Sequence, residues 1–330
     1  MRLALPLLGY ALAVAWWMPA PLARLTAPGL GPRLGLAAWL TAMASALAAA
    51  AAALAFLIRA AAGGWNGLAE VVCRSVAGHA CAQTVYQSAA FELVLAVIAV
   101  VAALAAGIVA WRYGRSVQRA RRQTRAHREV ARIVGRALTG GAAGDGSLVT
   151  AGAAASAGRR ARAVVIDAAA PVAYCLWGRP ATIVLSSGAL EVLDPAQLGA
   201  VLAHERAHLA GRHHLLIALT RGLAAAFPAV PLFSRGQDHV ARLAEMCADD
   251  AAARRSGRPA LAGALLAMAT GAAVPAAALG AMACAVSARL GRLAEVPGHA
   301  RDAGYDLALA ALMVVMALGP GLVALAATRA

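Results

Sequence analysis

The chain has 330 residues, of which 62% are hydrophobic and 14% are charged, and its mean hydropathy is +0.70. Soluble domains are nearer half apolar and about a quarter charged, so this composition excludes an ordinary soluble protein and indicates a membrane protein. The net charge is +15 and the sequence has no lysine. Because the arginines cluster beside an apolar stretch, membrane orientation explains them, and direct nucleic-acid binding is not expected.

Four apolar stretches approach the roughly 20 residues that a helix needs to cross a bilayer. They run from about Leu3 to Ala20, from Leu34 to Ile58, from Ala89 to Trp111 and from Tyr305 to Ala327. The first follows a basic residue as a signal peptide does, but it lacks a small-residue cleavage site and is predicted to stay as a helix. The fourth is interrupted by Gly319 and Pro320.

Arginines after the third stretch set the predicted orientation. They are opposed by Glu129 alone and comprise Arg112, Arg115, Arg119, Arg121, Arg122, Arg125, Arg128, Arg132 and Arg136. Such a run marks the cytoplasmic side, and the short loop with Arg24 and Arg33 agrees. The sequence therefore predicts a multi-pass protein of the cell membrane with both termini outside.

This orientation divides the chain into three predicted parts. Residues 1–111 form a membrane region of three helices with an outside loop at about 59–88, residues 112–304 a cytoplasmic domain, and residues 305–330 a last membrane helix. Cys73 and Cys81 lie in the outside loop, where an oxidising compartment permits a disulfide; two unpaired thiols are the alternative.

The cytoplasmic part is expected to combine a small sheet with helices. Strand-like runs cover Ala163–Ile166, Val172–Leu176 and Thr182–Leu185, and helical patterns follow. Pro259–Ser287 is nearly free of charge and is read as a helix pair that is buried or leans on the membrane; a fifth span is the alternative. The fold class is a mainly α membrane protein with about four transmembrane helices and a cytoplasmic α+β domain between the third and fourth.

One predicted helix carries the informative motif. Asp194 is a good N-cap with Gln197 completing a capping box, and Gly211 can end the helix. His204 and His208 lie four residues apart, so both imidazoles project from one face and can reach one zinc ion. Glu205 is placed to act on water, as in the His-Glu-x-x-His arrangement of zinc proteases. Two surface histidines on an amphipathic helix are the alternative.

A catalytic zinc site needs a third protein ligand. The candidates before Pro259 are four acids, namely Asp238, Glu245, Asp249 and Asp250. Glu245 and Asp249 share a helix face, so Glu245 is predicted to bind the metal and Asp249 to hold the ring N–H of a ligand histidine. Cys247 points elsewhere. His213 and His214 are read as charges at a helix end and not as ligands; stabilisation of an oxyanion by one of them is the alternative.

These residues predict a hydrolase that uses one Zn²⁺ per chain and acts on peptide bonds. Glu205 is expected to take a proton from water and pass it to the leaving amine. A substrate strand is expected to add to a sheet edge, for which Thr182–Leu185 is the candidate.

The motifs and the span layout resemble the BlaR/MecR-type membrane metallopeptidases, and the related HtpX-type membrane protease. The resemblance is carried by His204–His208, by Glu245 with Ala248 and Asp249, by the run from Pro180 to Gly188, and by Arg289-Leu-Gly-Arg292-Leu. It implies a zincin-like domain in which His204, His208 and Glu245 bind zinc and Glu205 is catalytic.

The sensors of that family carry a penicillin-binding domain after the fourth span, whereas this chain stops at Ala330, so beta-lactam sensing is not expected. The expected partners are the lipid bilayer and a protein or peptide substrate, either a transcriptional repressor or a damaged membrane protein. The leading interpretation is regulatory proteolysis; the alternative is a non-catalytic membrane sensor or scaffold that binds a cytoplasmic regulator.

Overall fold

The computed structural model describes residues 3–29, 31–74, 82–137, 161–178, 180–271, 286–294 and 299–329. Its helices are α1 Ala4–Trp17, α2 Pro19–Thr26, α3 Pro32–Arg74, α4 Ala82–Val134, α5 Ser187–Val192, α6 Pro195–Ala210, α7 His213–Ala226, α8 Pro231–Ser234, α9 Gly236–Ser256, α10 Arg258–Thr270, α11 286–294 and α12 His299–Arg329. Its strands are β1 Arg136–Ala137, β2 Arg162–Ile166, β3 Ala173–Leu176 and β4 Thr182–Ser186.

Two helical segments in these ranges are long and apolar enough to cross a membrane, Pro32–Arg59 and Ala303–Ala327. They coincide with the second and fourth predicted spans. The first predicted span is bent: α1 and α2 meet at 43° and count as a third candidate if the pair is one span. Pro19 at the start of α2 fits the break, because proline is favoured in a first helical turn and its ring crowds the turn that precedes it.

The third predicted span, from Ala89 to Trp111, lies within the long helix α4 and remains a prediction. Several of its described side chains are large, apolar and exposed, including Leu93, Val97, Leu104 and Ile108. The predicted outside loop at 59–88 is largely helical, because α3 continues to Arg74 and α4 begins at Ala82. The side chains of Cys73 and Cys81 lie outside the described residues, so their disulfide also remains a prediction.

Helix α12 continues through Pro320, so the predicted interruption at this residue is wrong. Proline has no N–H, which leaves the carbonyl oxygen of Met316 without its helical partner. Two hydroxyls from other helices replace it: Tyr10 donates at 2.9 Å and Ser45 at 2.6 Å. Helices α1, α3 and α12 therefore meet at a polar contact among apolar side chains, as buried carbonyls require.

The sheet has the strand order β1-β2-β4-β3. Strand β2 is parallel to β4, whereas β1 and β3 pair antiparallel to their neighbours. Strand β4 is interior and β3 is at the edge, so the prediction that Thr182–Leu185 forms the edge is wrong. The prediction failed because nearness to the motif helix in sequence does not fix strand order. Ile183 and Leu185 of β4 pack against Val201 and Leu202 of α6, which fixes that helix on the sheet.

Helix α9 packs along α6 on one side and along the membrane helices on the other. Its Leu243 and Met246 share one buried cluster with Trp39 of α3 and Met316 of α12. The ring of His239 stacks on Trp39, with ring centroids 4.7 Å apart. The core is therefore continuous between the predicted membrane region and the helix that carries Glu245.

The turn between α2 and α3 is tied to the same region by two guanidinium groups. Arg242 of α9 donates to the carbonyl oxygens of Thr26 at 3.0 Å and Ala27 at 3.3 Å. Arg292 of α11 donates to the carbonyl oxygen of Gly29 at 3.2 Å and to Asp250 at 2.6 Å. Gly29 has a φ of 71°, and a Cβ there would lie 2.9 Å from the sulfur of Met246, so this close approach favours glycine.

Candidate metal centre

Helix α6 begins and ends where its sequence signals predict. The Asp194 side chain accepts from the N–H of Gln197 at 2.8 Å, and the Gln197 side chain accepts from the N–H of Asp194 at 3.1 Å. Gly211 caps the other end. The capping box holds the N-terminus of α6, which carries His204, Glu205 and His208 in its last two turns.

His204, His208 and Glu245 converge where α6 faces α9. The Nε2 atoms of the two histidines are 3.0 Å apart, and the Glu245 carboxylate lies 3.5 Å from His204 and 3.4 Å from His208. One donor atom from each residue falls within 4.8 Å of the others. Two imidazoles and a carboxylate are a zinc donor set that leaves a position open, so these residues fit a catalytic zinc ion.

Asp249 lies behind His204, one helical turn beyond Glu245. Its Oδ1 is 3.0 Å from the Nδ1 of His204, although the N–H does not point straight at the oxygen. Asp249 is only 1% exposed. The structure thus brings Asp249 to the position predicted for an orienting carboxylate.

The electrostatics of the cluster favour a positive charge between the carboxylates. Burial would lower the pKa of His204, but its contacts with Asp249 and Glu245 outweigh burial and raise the pKa to about 9. Burial would raise the pKa of Glu245, but the two histidines hold it well below its usual range. Burial would also raise the pKa of Asp249, but His204 and Arg289 hold it below its usual range. Glu245 and Asp249 therefore stay ionised beside the rings, as cation binding requires.

His213 has a different position from the one expected of a charge at a helix end. It is buried at the start of α7, with its Nδ1 3.0 Å from the Nδ1 of His208. Burial and the nearby His208 lower its pKa to about 4, so the ring is neutral at pH 7. A charge was the wrong prediction because the turn after Gly211 folds this ring back onto α6. His214 instead stacks on Trp177, with centroids 4.5 Å apart.

Two further residues lie near the centre, and the sequence analysis gave neither of them a role there. Arg289 of α11 makes two hydrogen bonds to Asp249, at 2.8 Å and 2.6 Å. Cys175 of β3 interacts with Glu205, and burial together with that carboxylate raises the pKa of the thiol to about 12. Strand β3 therefore runs beside Glu205, which is itself only 8% exposed.

The other candidate ligands stay out of the cluster. In the described ranges Cys247 is a buried free thiol and Asp250 pairs with Arg292. Asp238 is in the first turn of α9, two turns before Glu245. Of the four acids considered, Glu245 is the one that lies with both histidines.

The chain matches a known protein family over part of its length. The model of Peptidase family M48 matches residues 147–233, which include His204, Glu205 and His208 but end before Glu245. No curated protein and no solved structure matches the chain. The matched segment and the His-His-Glu cluster thus give the same indication from sequence and from geometry: the chain is similar to Peptidase family M48, a family of zinc metalloproteases.

Proposed function

We propose that the chain is a membrane-embedded zinc endopeptidase whose zinc is held by His204, His208 and Glu245. The observation that carries the proposal is the convergence of these three donors from two helices. When bound, zinc supplies a Lewis acid that polarises the scissile carbonyl and makes water more acidic.

Glu205 is the general base in this proposal. It follows His204 directly on α6 and lies beside β3, the strand that we propose receives the substrate. Glu205 takes a proton from the attacking water and delivers it to the leaving amine. Asp249 keeps His204 in the orientation that presents Nε2 to the metal.

Strand β3 is the edge that receives the substrate backbone. The backbone N–H of Ser186 donates to the carbonyl of Val172, and hydrogen-bonded pairs alternate along an antiparallel ladder. The backbone N–H and C=O of Tyr174 therefore point towards β4, and those of Ala173 and Cys175 point towards the outer edge of the sheet. An extended peptide can pair with those free groups beside Glu205.

Proline substitutions distinguish the two sides of β3. Ala173→Pro removes an N–H from the free edge, where proline is tolerated, so we expect normal folding and zinc content with a lower kcat/KM. Tyr174→Pro removes a bond to β4 and should reduce stability. Normal cleavage by a correctly folded Ala173→Pro protein would exclude this edge as the substrate site.

The proposed site faces the cytoplasm, and the substrate is a cytoplasmic or membrane protein. The support is the exposed basic part of α4, which includes Arg119, Arg122 and Arg125, and the apolar helices that precede and follow the catalytic region. Reporter fusions at both termini test the orientation. A reporter that is active only on the outer side of the cell membrane should be active when it is fused to either terminus.

Zinc analysis combined with proteomics tests the enzyme itself. The wild type and Glu205→Gln should each hold one zinc, and the substitution should lower turnover by roughly 10² to 10⁴-fold because the general base is lost. Substrate should accumulate only in cells with Glu205→Gln. Identical protein profiles in the two strains would favour a non-catalytic sensor, and wild-type protein without zinc would contradict the metal site.

A further inference from the structure

We propose that Arg289 is a positioning residue of the zinc centre, which fixes the Asp249 carboxylate and, through it, the ring of His204. The inference rests on the proposed zinc function. It concerns a residue 40 positions beyond Asp249, on a separate helix, that the Peptidase family M48 match does not reach.

The geometry of the Arg289 contact is that of a clamp. Nε donates to Oδ2 of Asp249 at 2.8 Å and Nη2 donates to Oδ1 at 2.6 Å. Two parallel bonds fix the plane of the carboxylate as well as its position, which a single bond does not do. The same Oδ1 is the atom that lies 3.0 Å from Nδ1 of His204.

When zinc is bound, Asp249 depends on Arg289 for its counter-charge. Asp249 is 1% exposed, and an ionised carboxylate at such a site needs a partner of opposite charge. In the described part of the chain its cationic contacts are His204 and Arg289. A histidine that binds zinc must be neutral, so with the metal in place Arg289 is the remaining full positive charge on Asp249.

Arg289 also balances the charge around the metal. Its Nη1 is 3.6 Å from Oε2 of Glu245, and its charge is felt by Glu205. Three carboxylates, one divalent ion and one guanidinium sum to zero, whereas without Arg289 the buried centre would carry a net negative charge. A lysine in its place would keep the charge and lose the two-bond fork.

Arg292 offers a matched control on the same helix. It is one turn away, its side chain is 19% exposed against 21% for Arg289, and it also pairs with an aspartate of α9. Its aspartate is Asp250, which does not touch the histidines. A role limited to attaching α11 should therefore be shared by both arginines, whereas a role in positioning His204 should belong to Arg289 alone.

The test measures zinc affinity of the full-length protein in detergent by competition with a chelator. We expect Arg289→Gln to weaken zinc binding about 10 to 100-fold, as loss of an outer partner does. Arg292→Gln should stay near the wild-type affinity, and Arg289→Lys should recover part of the loss. In protein that already carries Asp249→Asn, Arg289→Gln should cause little further loss of zinc affinity, because the two residues act as one unit.

Cobalt substitution supplies a second readout that a merely structural role would not change. The visible absorption of Co²⁺ at the site should shift in Arg289→Gln and not in Arg292→Gln. Equal losses of affinity in both variants, or an unchanged affinity and spectrum in Arg289→Gln, would overturn the inference while leaving the zinc enzyme intact. Zinc binding that is unchanged by His204→Ala would instead overturn the proposed function.

Discussion

At the scale of single residues, the centre is built from pairs of groups in which one orients another. His204 is backed by Asp249, and His208 is backed by His213, whose Nδ1 lies 3.0 Å from its own. Burial and the nearby His208 lower the pKa of His213 to about 4, so its ring is neutral and its Nδ1 can accept a hydrogen bond from the Nδ1–H of His208. In the proposed zinc centre, each ligand ring therefore has a polar group behind it that can select the nitrogen presented to the metal.

Replacing His213 should weaken zinc binding. His213→Ala removes the partner of His208 Nδ1, and we expect a loss of about tenfold in zinc affinity, measured by chelator competition. His214→Ala is the matched control, because that neighbouring ring stacks on Trp177 away from the cluster. An equal loss in both variants would show that the effect comes from the start of α7 and not from the His208 contact.

At the scale of elements, the sequence predicted the structure correctly where the signal comes from a few neighbouring residues. Strands β2, β3 and β4 were predicted to within one residue at each end, whereas the two-residue strand β1 was not predicted. Helix α6 has the capping box read from Asp194 and Gln197. The pairing of β2 with β4 and the edge position of β3 were not predicted. These contacts join residues far apart in sequence, and no periodicity in a single strand encodes its neighbour.

The capping box provides a test at this scale. Asp194→Ala leaves the N–H of Gln197 without its acceptor and should lower the free energy of unfolding by about 1 kcal/mol. Thermal unfolding in detergent measures the change, with Glu191→Ala as a control that removes an exposed carboxylate from the neighbouring helix α5. A similar decrease in the free energy of unfolding in both variants would show that the effect comes from the lost charge and not from the lost cap.

The site shows the same division between what local sequence predicts and what it does not. His204, His208 and Glu245 were found because their spacing on two helices is itself a signal. Arg289 was quoted only for the resemblance and His213 was read as a charge at a helix end, because the contacts of both residues depend on the way α11 and α7 fold back on the cluster. Only three-dimensional packing places those side chains.

At the scale of the whole molecule, the candidate membrane-spanning helices and the helices that carry the His-His-Glu cluster share one core. Trp39, Leu243 and Met316 come from three distant parts of the chain and are all buried in the same cluster. The contact of Tyr10 and Ser45 with the carbonyl of Met316 locks α1, α3 and α12 together. We expect the chain to unfold as a cooperative unit that includes its membrane part.

A double-mutant cycle tests the Met316 contact. Ser45→Ala should lower the free energy of unfolding by about 0.6 kcal/mol, a usual value for hydrogen bonds between membrane helices. Pro320→Ala returns an N–H to α12 that can donate to the carbonyl oxygen of Met316. In that protein Ser45→Ala should therefore lower the free energy of unfolding by a smaller amount. Equal costs in the two proteins would show that the carbonyl does not depend on the hydroxyl.

The contacts that Arg242 of α9 and Arg292 of α11 make with the α2–α3 turn have a practical consequence. A fragment limited to residues 112–304 would lose the carbonyls of Thr26, Ala27 and Gly29 that Arg242 and Arg292 bind. It would also uncover Leu243 and Met246, two apolar side chains on the helix that bears Glu245. The catalytic half excised in this way would self-associate in water, so biochemical work on this protein requires the intact chain in detergent or lipid.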